Sequence, residues 1–135
     1  MFPPSLLDTD ILSELFKGHN LVKSRASEYI REHGRLTISQ ITKYEILKGL
    51  KAKKAQRQIE SFSKFCAMNN IITITDNVIV KAADIYASLK EKGSLISDAD
   101  ILVAAMALIN NLVLITNNTS HFSKIEGLQL NNWKI

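Results

Sequence analysis

Five side chains with oxygen ligands stand where an apolar run ends or a helical pattern begins: Asp8, Glu45, Asp98, Asp100 and Asn118. Carboxylate and amide oxygens are hard ligands that suit Mg²⁺ or Mn²⁺, and these ions often bind substrate phosphates as well. Carboxylates a few ångströms apart repel one another and raise each other's pKa unless a cation neutralises them. If the fold brings these residues together, the predicted chemistry is that of a Mg²⁺ site, with Mn²⁺ as the other metal that fits.

Each of these positions also has a purely structural explanation. Asp8 can cap a helix that begins near Thr9. Glu45 follows Thr42 by three residues, which is the spacing of a capping box. Helix capping or a favourable helix dipole likewise explains Asp98, Asp100 and Asn118. The two explanations are compatible, because a carboxylate can bind a metal while its helix lowers its pKa.

No other catalytic set is visible in the sequence. The three histidines, His19, His33 and His121, are scattered without zinc-motif spacing and are interpreted as surface or capping residues. Cys66 is the single cysteine and fits a buried structural thiol. There is no phosphate-binding glycine loop and no nucleophile elbow. The sequence therefore leaves the acidic set as the candidate site.

Short apolar runs alternate with longer helical patterns along the chain. Strands are predicted at residues 5–8, 36–39, 71–74, 112–115 and 128–130. Helices are predicted at residues 9–16, 21–32, 52–68, 78–92 and 101–109. A further helical stretch is predicted to follow the strand at residues 36–39 and to end at residue 50. Such alternation indicates right-handed crossovers and a parallel sheet covered on both faces. We therefore expect the α/β class: a three-layer α/β/α sandwich with a mainly parallel sheet of four to five strands, in one domain over residues 1–135.

This topology predicts where the acidic set lies. In open parallel sheets, ligands bind outside the carboxyl ends of the strands, where the loops converge and helix N-termini point inward. Asp8 ends the first strand and Asn118 follows the fourth, while Glu45 and Asp100 lie near the start of helical patterns. All of them are therefore able to meet at one edge of the sheet.

Composition narrows the class of partner. The chain is 46% apolar and 22% charged with a formal net charge of +4, as expected of a globular protein whose charge favours a polyanion. No apolar run approaches the roughly 20 residues of a membrane span, and the start of the chain lacks the pattern of a signal peptide. We therefore expect a cytoplasmic protein that does not bind membranes.

Four segments resemble the conserved motifs of PIN-domain nucleases, particularly the VapC toxins of toxin–antitoxin pairs. They are Leu6-Leu7-Asp8-Thr9-Asp10-Ile11-Leu12, Thr42-Lys43-Tyr44-Glu45-Ile46-Leu47-Lys48-Gly49, Asp98-Ala99-Asp100-Ile101-Leu102-Val103-Ala104-Ala105, and Leu114-Ile115-Thr116-Asn117-Asn118-Thr119-Ser120-His121-Phe122. A tail with Gly127-Leu128 and Trp133 follows. The segments come in the family's order and span nearly the whole chain, so the resemblance rests on the ordered set.

The resemblance implies a Mg²⁺-dependent endoribonuclease that hydrolyses RNA phosphodiesters. It implies metal ligation by Asp8 and Asp100, with Glu45 as a further acidic member and Asp98 as an additional candidate. Thr9 would help to hold the first carboxylate. Asn118 occupies the fourth-motif position, where many relatives have an aspartate, so one charge is missing and a tightly held second metal is in doubt.

The resemblance also implies partners. They are an RNA substrate, a small antitoxin protein that covers the site, and a second copy of the chain in a homodimer. The apolar residues Leu12, Leu15 and Phe16 are candidate contacts, although core packing explains them equally well. A basic run can contact phosphates or simply form a solvated helix face: Lys48, Lys51, Lys53, Lys54 and Arg57.

Two other functions fit part of the pattern. Asp8-Thr9-Asp10 also resembles a haloacid-dehalogenase-type phosphatase, with Asp8 as nucleophile and Asp10 as acid/base, but no later lysine and acidic pair follow in that family's order. A PIN-fold module that binds RNA or protein without catalysis is the other alternative, and Asn118 is the residue that favours it.

Overall fold

Five short strands, all in parallel pairs, form the centre of the molecule. The computed structural model describes residues 1–135. Its strands are β1 (Ser5–Leu7), β2 (Thr37–Ser39), β3 (Asn70–Ile72), β4 (Val113–Ile115) and β5 (Leu130–Asn131). They form two hydrogen-bonded ladders, one in the order β1-β4-β5 and one that joins β2 to β3. The predicted α/β class with parallel strands is thus confirmed, although the strands are divided between two ladders.

The division falls between β1 and β2, which lie next to each other. The Ser5 amide donates to the Tyr29 hydroxyl at 2.9 Å, so it does not reach a carbonyl of β2. On the other side, β1 is in register with β4, and Leu6 lies opposite Leu114. In a single continuous sheet, a carbonyl of β2 would accept from the buried Ser5 amide. Here the Tyr29 hydroxyl accepts from it instead.

Seven helices connect and cover the strands. They are α1 (Thr9–Lys17), α2 (Asn20–His33), α3 (Gln40–Ala52), α4 (Gln56–Met68), α5 (Asp76–Glu91), α6 (Asp98–Ile109) and α7 (Thr119–Phe122). The predicted helix over residues 52–68 begins four residues late, because α3 continues to Ala52 and Lys54 has a left-handed φ of 54°. Few side chains adopt that conformation within a helix, so the chain turns there.

Two apolar clusters lie on opposite faces of the β1–β4 ladder. Side chains alternate along a strand, so Leu6 and Leu114 face one way while Leu7 and Ile115 face the other. The first pair packs against α5 and α6, and the second pair packs with residues of α1, α2 and α4. This alternation produces the three layers, helices on either side of parallel strands.

The carboxyl ends of β1, β2 and β4 are followed by Asp8, Gln40 and Thr116. The first residues of α1 and α3 lie at that edge, which we call the carboxyl edge. None of the helices combines the length and the apolar character that crossing a membrane requires.

Candidate active site at the carboxyl edge

Asp8 is the most buried carboxylate at the carboxyl edge, with 9% of its surface exposed. Its backbone amide donates to the Ile115 carbonyl at 3.0 Å and so extends the β1–β4 ladder by one bond. Its Oδ1 accepts from the Ile11 amide at 2.9 Å, which makes Asp8 the N-cap of α1. The predicted helix cap at Asp8 is therefore confirmed, and the carboxylates of Asp10 and Asp100 lie near enough to act on its charge.

Burial raises the pKa of Asp8 from 3.8 to about 6. Hydrogen bonds from the Thr116 hydroxyl and the Ile11 amide oppose this rise, while the nearby carboxylates of Asp10 and Asp100 add to it. The ionised form is thus poorly stabilised by the protein alone. A cation at this position would supply the missing stabilisation.

Glu45 reaches the carboxyl edge from α3. Its Oε1 accepts from the Thr9 hydroxyl at 2.6 Å, and the Thr9 hydroxyl lies 3.0 Å from that of Thr42. A threonine hydroxyl has one proton to donate. Since Thr9 donates to Glu45, Thr42 donates to Thr9, and the three side chains form a directed chain.

The capping-box explanation of Glu45 is wrong. The N-cap of α3 is Ser39, whose hydroxyl accepts from the Thr42 amide at 3.0 Å. Glu45 therefore lies well inside α3 and makes no capping contact. The expected contact of Thr9 with Asp8 is also wrong, because the Thr9 hydroxyl donates to the carboxylate of Glu45.

Asp100 lies in the first turn of α6, whose N-cap is Ser97. The Ser97 hydroxyl accepts from the Asp100 amide at 3.2 Å, so the cap uses the backbone of Asp100 and not its carboxylate. Oδ2 of that carboxylate lies 3.5 Å from Nδ1 of His121 in α7. The neighbouring Asp98 is exposed, and its side chain makes no hydrogen bond or ion pair.

Asn118 does not cap α7 with its side chain. Its backbone amide donates to the Thr116 hydroxyl at 3.0 Å, and its Nδ2 donates to Oδ2 of Asp10 at 3.4 Å. The residue at the fourth-motif position therefore touches an acidic residue of α1 that is two positions after Asp8.

Two of these neighbours were missed from the sequence. Asp10 was considered only for the phosphatase alternative, and His121 was interpreted as a surface or capping residue. The position of Asp10 in the first turn after a strand was a usable signal, since that turn faces the carboxyl edge. The contact of His121 with Asp100 had no comparable signal.

The side chains do not form a closed metal cage. Nowhere in the chain are three or more His, Cys, Asp or Glu side chains grouped so that they could hold an ion together. Contacts instead run in pairs: Glu45 with Thr9, Asp10 with Asn118, and Asp100 with His121. The carboxyl edge is therefore an open acidic surface with one buried carboxylate.

A groove of about 610 Å³ begins beside this surface. Thr9 and Glu45 are among its lining residues, and so is Phe16, which is 48% exposed. The remaining lining residues come from α1, from α3 and the turn that follows it, and from α4: Ser13, Lys17, Ile46, Gly49, Leu50, Lys53, Gln58, Ser61 and Phe62. Four of the lining residues are hydrophobic and two are lysines.

Known proteins resemble this chain in sequence and structure. The sequence model of the PIN domain matches residues 5–128. Ribonuclease VapC1 of Methanocaldococcus jannaschii is 32% identical over 125 residues, which is 93% of this chain and 83% of that one. The tRNA(fMet)-specific endonuclease VapC of Shigella flexneri is 25% identical over 129 residues, covering 95% of this chain and 96% of that protein.

Two solved structures show the same fold. VapBC2 from Rickettsia felis, bound to a DNA fragment from their promoter, gives a TM-score of 0.85 at 26% identity, over 97% of this chain and 99% of that one. VapBC-1 from nontypeable Haemophilus influenzae gives a TM-score of 0.81 at 27% identity, over 98% and 100% of the two chains.

Proposed function

Because the chain belongs to the PIN-domain family, we propose that it is a metal-dependent endoribonuclease and the toxin of a toxin–antitoxin pair. The observation that carries this proposal is the buried Asp8, whose raised pKa beside Asp10 and Asp100 makes a cation the natural partner. Relatives over nearly the whole chain that are named ribonucleases support the activity. We also propose that residues 1–135 form one PIN domain.

The residues at the carboxyl edge fit Mg²⁺, which PIN-domain nucleases generally require, or Mn²⁺. Mg²⁺ usually keeps several waters and is held by one or two carboxylates together with substrate phosphates. That mode of binding does not require a group of three protein ligands, and the carboxyl edge contains none. Asp8 and Asp100 are the proposed ligands, Glu45 is the third acidic member, and Asp98 is an additional candidate.

When bound, the metal supplies an activated water and stabilises charge on the phosphate and the leaving oxygen. Glu45, held by the Thr9 hydroxyl at 2.6 Å, positions the attacking water through its carboxylate. Asp8 is fixed by the Ile11 amide, so its second oxygen is oriented without loss of side-chain entropy during the reaction. Asn118 contributes an uncharged amide group, which donates to the carboxylate of Asp10.

RNA binds, in this proposal, across the carboxyl edge towards the turn between α3 and α4. The basic run over residues 48–57 is exposed there, and Lys53 lines the same groove as Glu45. Lys48 lies 5.1 Å from the ring centre of Tyr44, so one cation is held by an aromatic face. Contacts between these basic side chains and RNA phosphates make RNA binding sensitive to salt.

The proposed partners are a small antitoxin and a second copy of the chain. Solved complexes of related toxins with their antitoxins support the first. Of the candidate contacts, Leu12 is fully buried and is a core residue, whereas Phe16 is exposed along the groove. Because its substrate is RNA, we place the protein in the cytoplasm.

The test uses purified protein and a fluorescent RNA, with Mg²⁺, Mn²⁺ or EDTA. We expect cleavage with either metal and none with EDTA. Asp8→Asn and Asp100→Asn should each lower the rate by about a hundredfold or more, since each removes charge that acts on the transition state. Glu28→Gln, on the exposed face of α2, is the matched control and should cleave at the wild-type rate.

Three outcomes would contradict the proposal. Cleavage that persists both in EDTA and in Asp8→Asn excludes this site. RNA binding without cleavage in either metal favours the non-catalytic module. Turnover of a phosphomonoester with a phosphate trapped on Asp8 favours the phosphatase.

A further inference from the structure

Tyr44 is the most exposed aromatic residue of the chain, with 62% of its surface exposed. It belongs to neither apolar cluster, and its hydroxyl makes no hydrogen bond within the chain. Tyr29, by contrast, is buried, and its hydroxyl accepts from the Ser5 amide at 2.9 Å. Packing of the fold therefore gives no reason for an aromatic ring at position 44.

The contact that the Tyr44 ring does make is with Lys48, one turn later in α3. Nζ of Lys48 lies over the ring, 5.1 Å from its centre. The ammonium group covers one face, and the exposure of the side chain leaves ring surface for another molecule. Aromatic rings beside cations are the means by which proteins bind single-stranded nucleic acid, because bases stack on the ring and phosphates contact the cation.

The Tyr44–Lys48 pair lies beside Glu45 on the surface of α3. Successive residues of a helix are about 100° apart, which places Lys48 about 60° from Glu45 and about 40° from Tyr44. Lys48 therefore lies between the carboxylate and the ring. Tyr44 stands four residues after the start of α3 at the carboxyl edge, which is about 6 Å along the helix axis.

We propose that Tyr44 and Lys48 form a subsite for one unpaired nucleotide of the RNA substrate. The base stacks on the Tyr44 ring, and Lys48 binds a phosphate next to that base. This proposal rests on the proposed nuclease function and names its substrate class, which is a single-stranded segment or loop. Bases inside a duplex are stacked on their neighbours and are not free to stack on a protein ring, so the subsite selects unpaired RNA.

The charge of α3 supports an anionic strand as the occupant. Glu45 is the one acidic residue of this helix, whereas Lys43, Lys48 and Lys51 are basic. Positive charge around an exposed ring attracts a polyanion and releases its counterions on binding. An apolar partner would cover the Tyr44 ring without using these lysines.

A second tyrosine–lysine pair provides the matched control. Tyr86 and Lys90 in α5 have the same spacing of four residues, and both are exposed. The helix α5 follows β3, which is parallel to β2, so α5 also begins at the carboxyl edge. Tyr86 stands ten residues after that start, about 15 Å along the axis. We therefore expect this pair to have no role in RNA binding.

The test is fluorescence anisotropy with labelled RNA at low salt, in proteins that all carry Asp8→Asn so that the RNA stays intact. The probes are a single-stranded oligoadenylate, a duplex of the same length and an abasic strand of the same length. Tyr44→Leu should bind the oligoadenylate about tenfold more weakly and the other two probes as before. Tyr44→Phe keeps the ring and should retain full affinity, and so should Tyr86→Leu.

The lysine is tested by the salt dependence of the same binding. Lys48→Gln should weaken binding of both the oligoadenylate and the abasic strand, because it removes a phosphate contact. It should also reduce the slope of log affinity against log salt by about one. Lys90→Gln should change neither the affinity nor the slope.

Several results would overturn the subsite. They are a Tyr44→Leu protein that binds the oligoadenylate as well as its parent does, an equal loss on the abasic strand, or a Tyr44→Phe protein as weak as Tyr44→Leu. Circular dichroism verifies that each variant is folded. If Tyr44→Leu does not fold, the parent alone decides, because it should bind the oligoadenylate about tenfold more tightly than the abasic strand.

RNA binding and RNA cleavage are separate readouts. A chain that needs the Tyr44 ring to bind oligoadenylate but cleaves no RNA with either metal would refute the nuclease proposal alone. A metal-dependent nuclease whose RNA affinity is unchanged by Tyr44→Leu would refute only the subsite.

Discussion

Replacing Asp8 by asparagine should stabilise the metal-free protein while it abolishes cleavage. Asparagine has the same shape and is as good an N-cap as aspartate, so the bond from the Ile11 amide is kept. Its amide nitrogen can donate to the Thr116 hydroxyl oxygen. The variant therefore differs from ionised Asp8 mainly in the buried charge.

The size of the effect follows from the pKa of Asp8, which folding raises from 3.8 to about 6. A raised pKa means that the folded state binds the proton more tightly than the unfolded state does. The ionised carboxylate therefore costs nothing below pH 3.8, costs more as the pH rises from 3.8 to 6, and costs its full amount above pH 6. The difference between the two pKa values lowers the free energy of unfolding of the wild type above pH 6 by about 3 kcal/mol. Removing the charge should therefore raise the melting temperature by roughly 10 °C in a chain of this size.

The assay is thermal unfolding in EDTA from pH 4 to pH 8, followed by circular dichroism. Asp8→Asn should melt roughly 10 °C above the wild type at pH 8, and the gap should nearly close at pH 4. Mg²⁺ at pH 8 should raise the melting temperature of the wild type alone. Glu28→Gln should melt like the wild type at every pH. If the gap at pH 8 is absent, or equally large at pH 4, burial of the Asp8 charge is not the cause and the reasoning fails.

Two further predictions concern the neighbours of Asp8. Thr9→Val removes the hydroxyl that donates to Glu45 and should lower kcat/KM roughly tenfold or more, since bonds to charged groups are the stronger ones. In a Glu45→Gln background the same change should have little further effect in single-turnover assays, and additive losses would show that Thr9 acts elsewhere. Asn118→Asp replaces the bond to Asp10 by a repulsion and adds a ligand. This change should slightly lower the melting temperature in EDTA. It should also lower the Mg²⁺ concentration that gives half-maximal cleavage several-fold. An unchanged metal requirement would contradict a role for this position in metal binding.

Local patterns were sufficient to predict the class of fold. The β-branched and leucine-rich runs that end at Leu7 and Ile115 predicted buried parallel strands, and both pair as expected. The boundary between α3 and α4 was predicted a few residues too early, because it depends on the left-handed turn at Lys54, and no glycine marks that turn. The division into two ladders was also missed, since it depends on where the Tyr29 hydroxyl lies after folding.

The acidic residues themselves were predicted from their positions, but their partners were not. Asp8 was expected at a strand end beside a helix start, and it lies there. The contact of Thr9 with Glu45 joins residues 36 positions apart, and that of Asn118 with Asp10 joins residues 108 apart. Such contacts depend on how the layers pack, which spacing along the chain does not encode.

The β1–β4 ladder has a consequence for the protein while it is being made. β1 leaves the ribosome early, yet it pairs with Val113–Ile115, and Trp133 completes the core on its other face. The hydrogen bond from the Asp8 amide to the Ile115 carbonyl forms only after that late strand has been synthesised. Pairings this distant in sequence form after local helices do. A nascent chain, held beside ribosomal and messenger RNA throughout its synthesis, therefore remains without an assembled carboxyl edge until nearly the whole sequence has been translated.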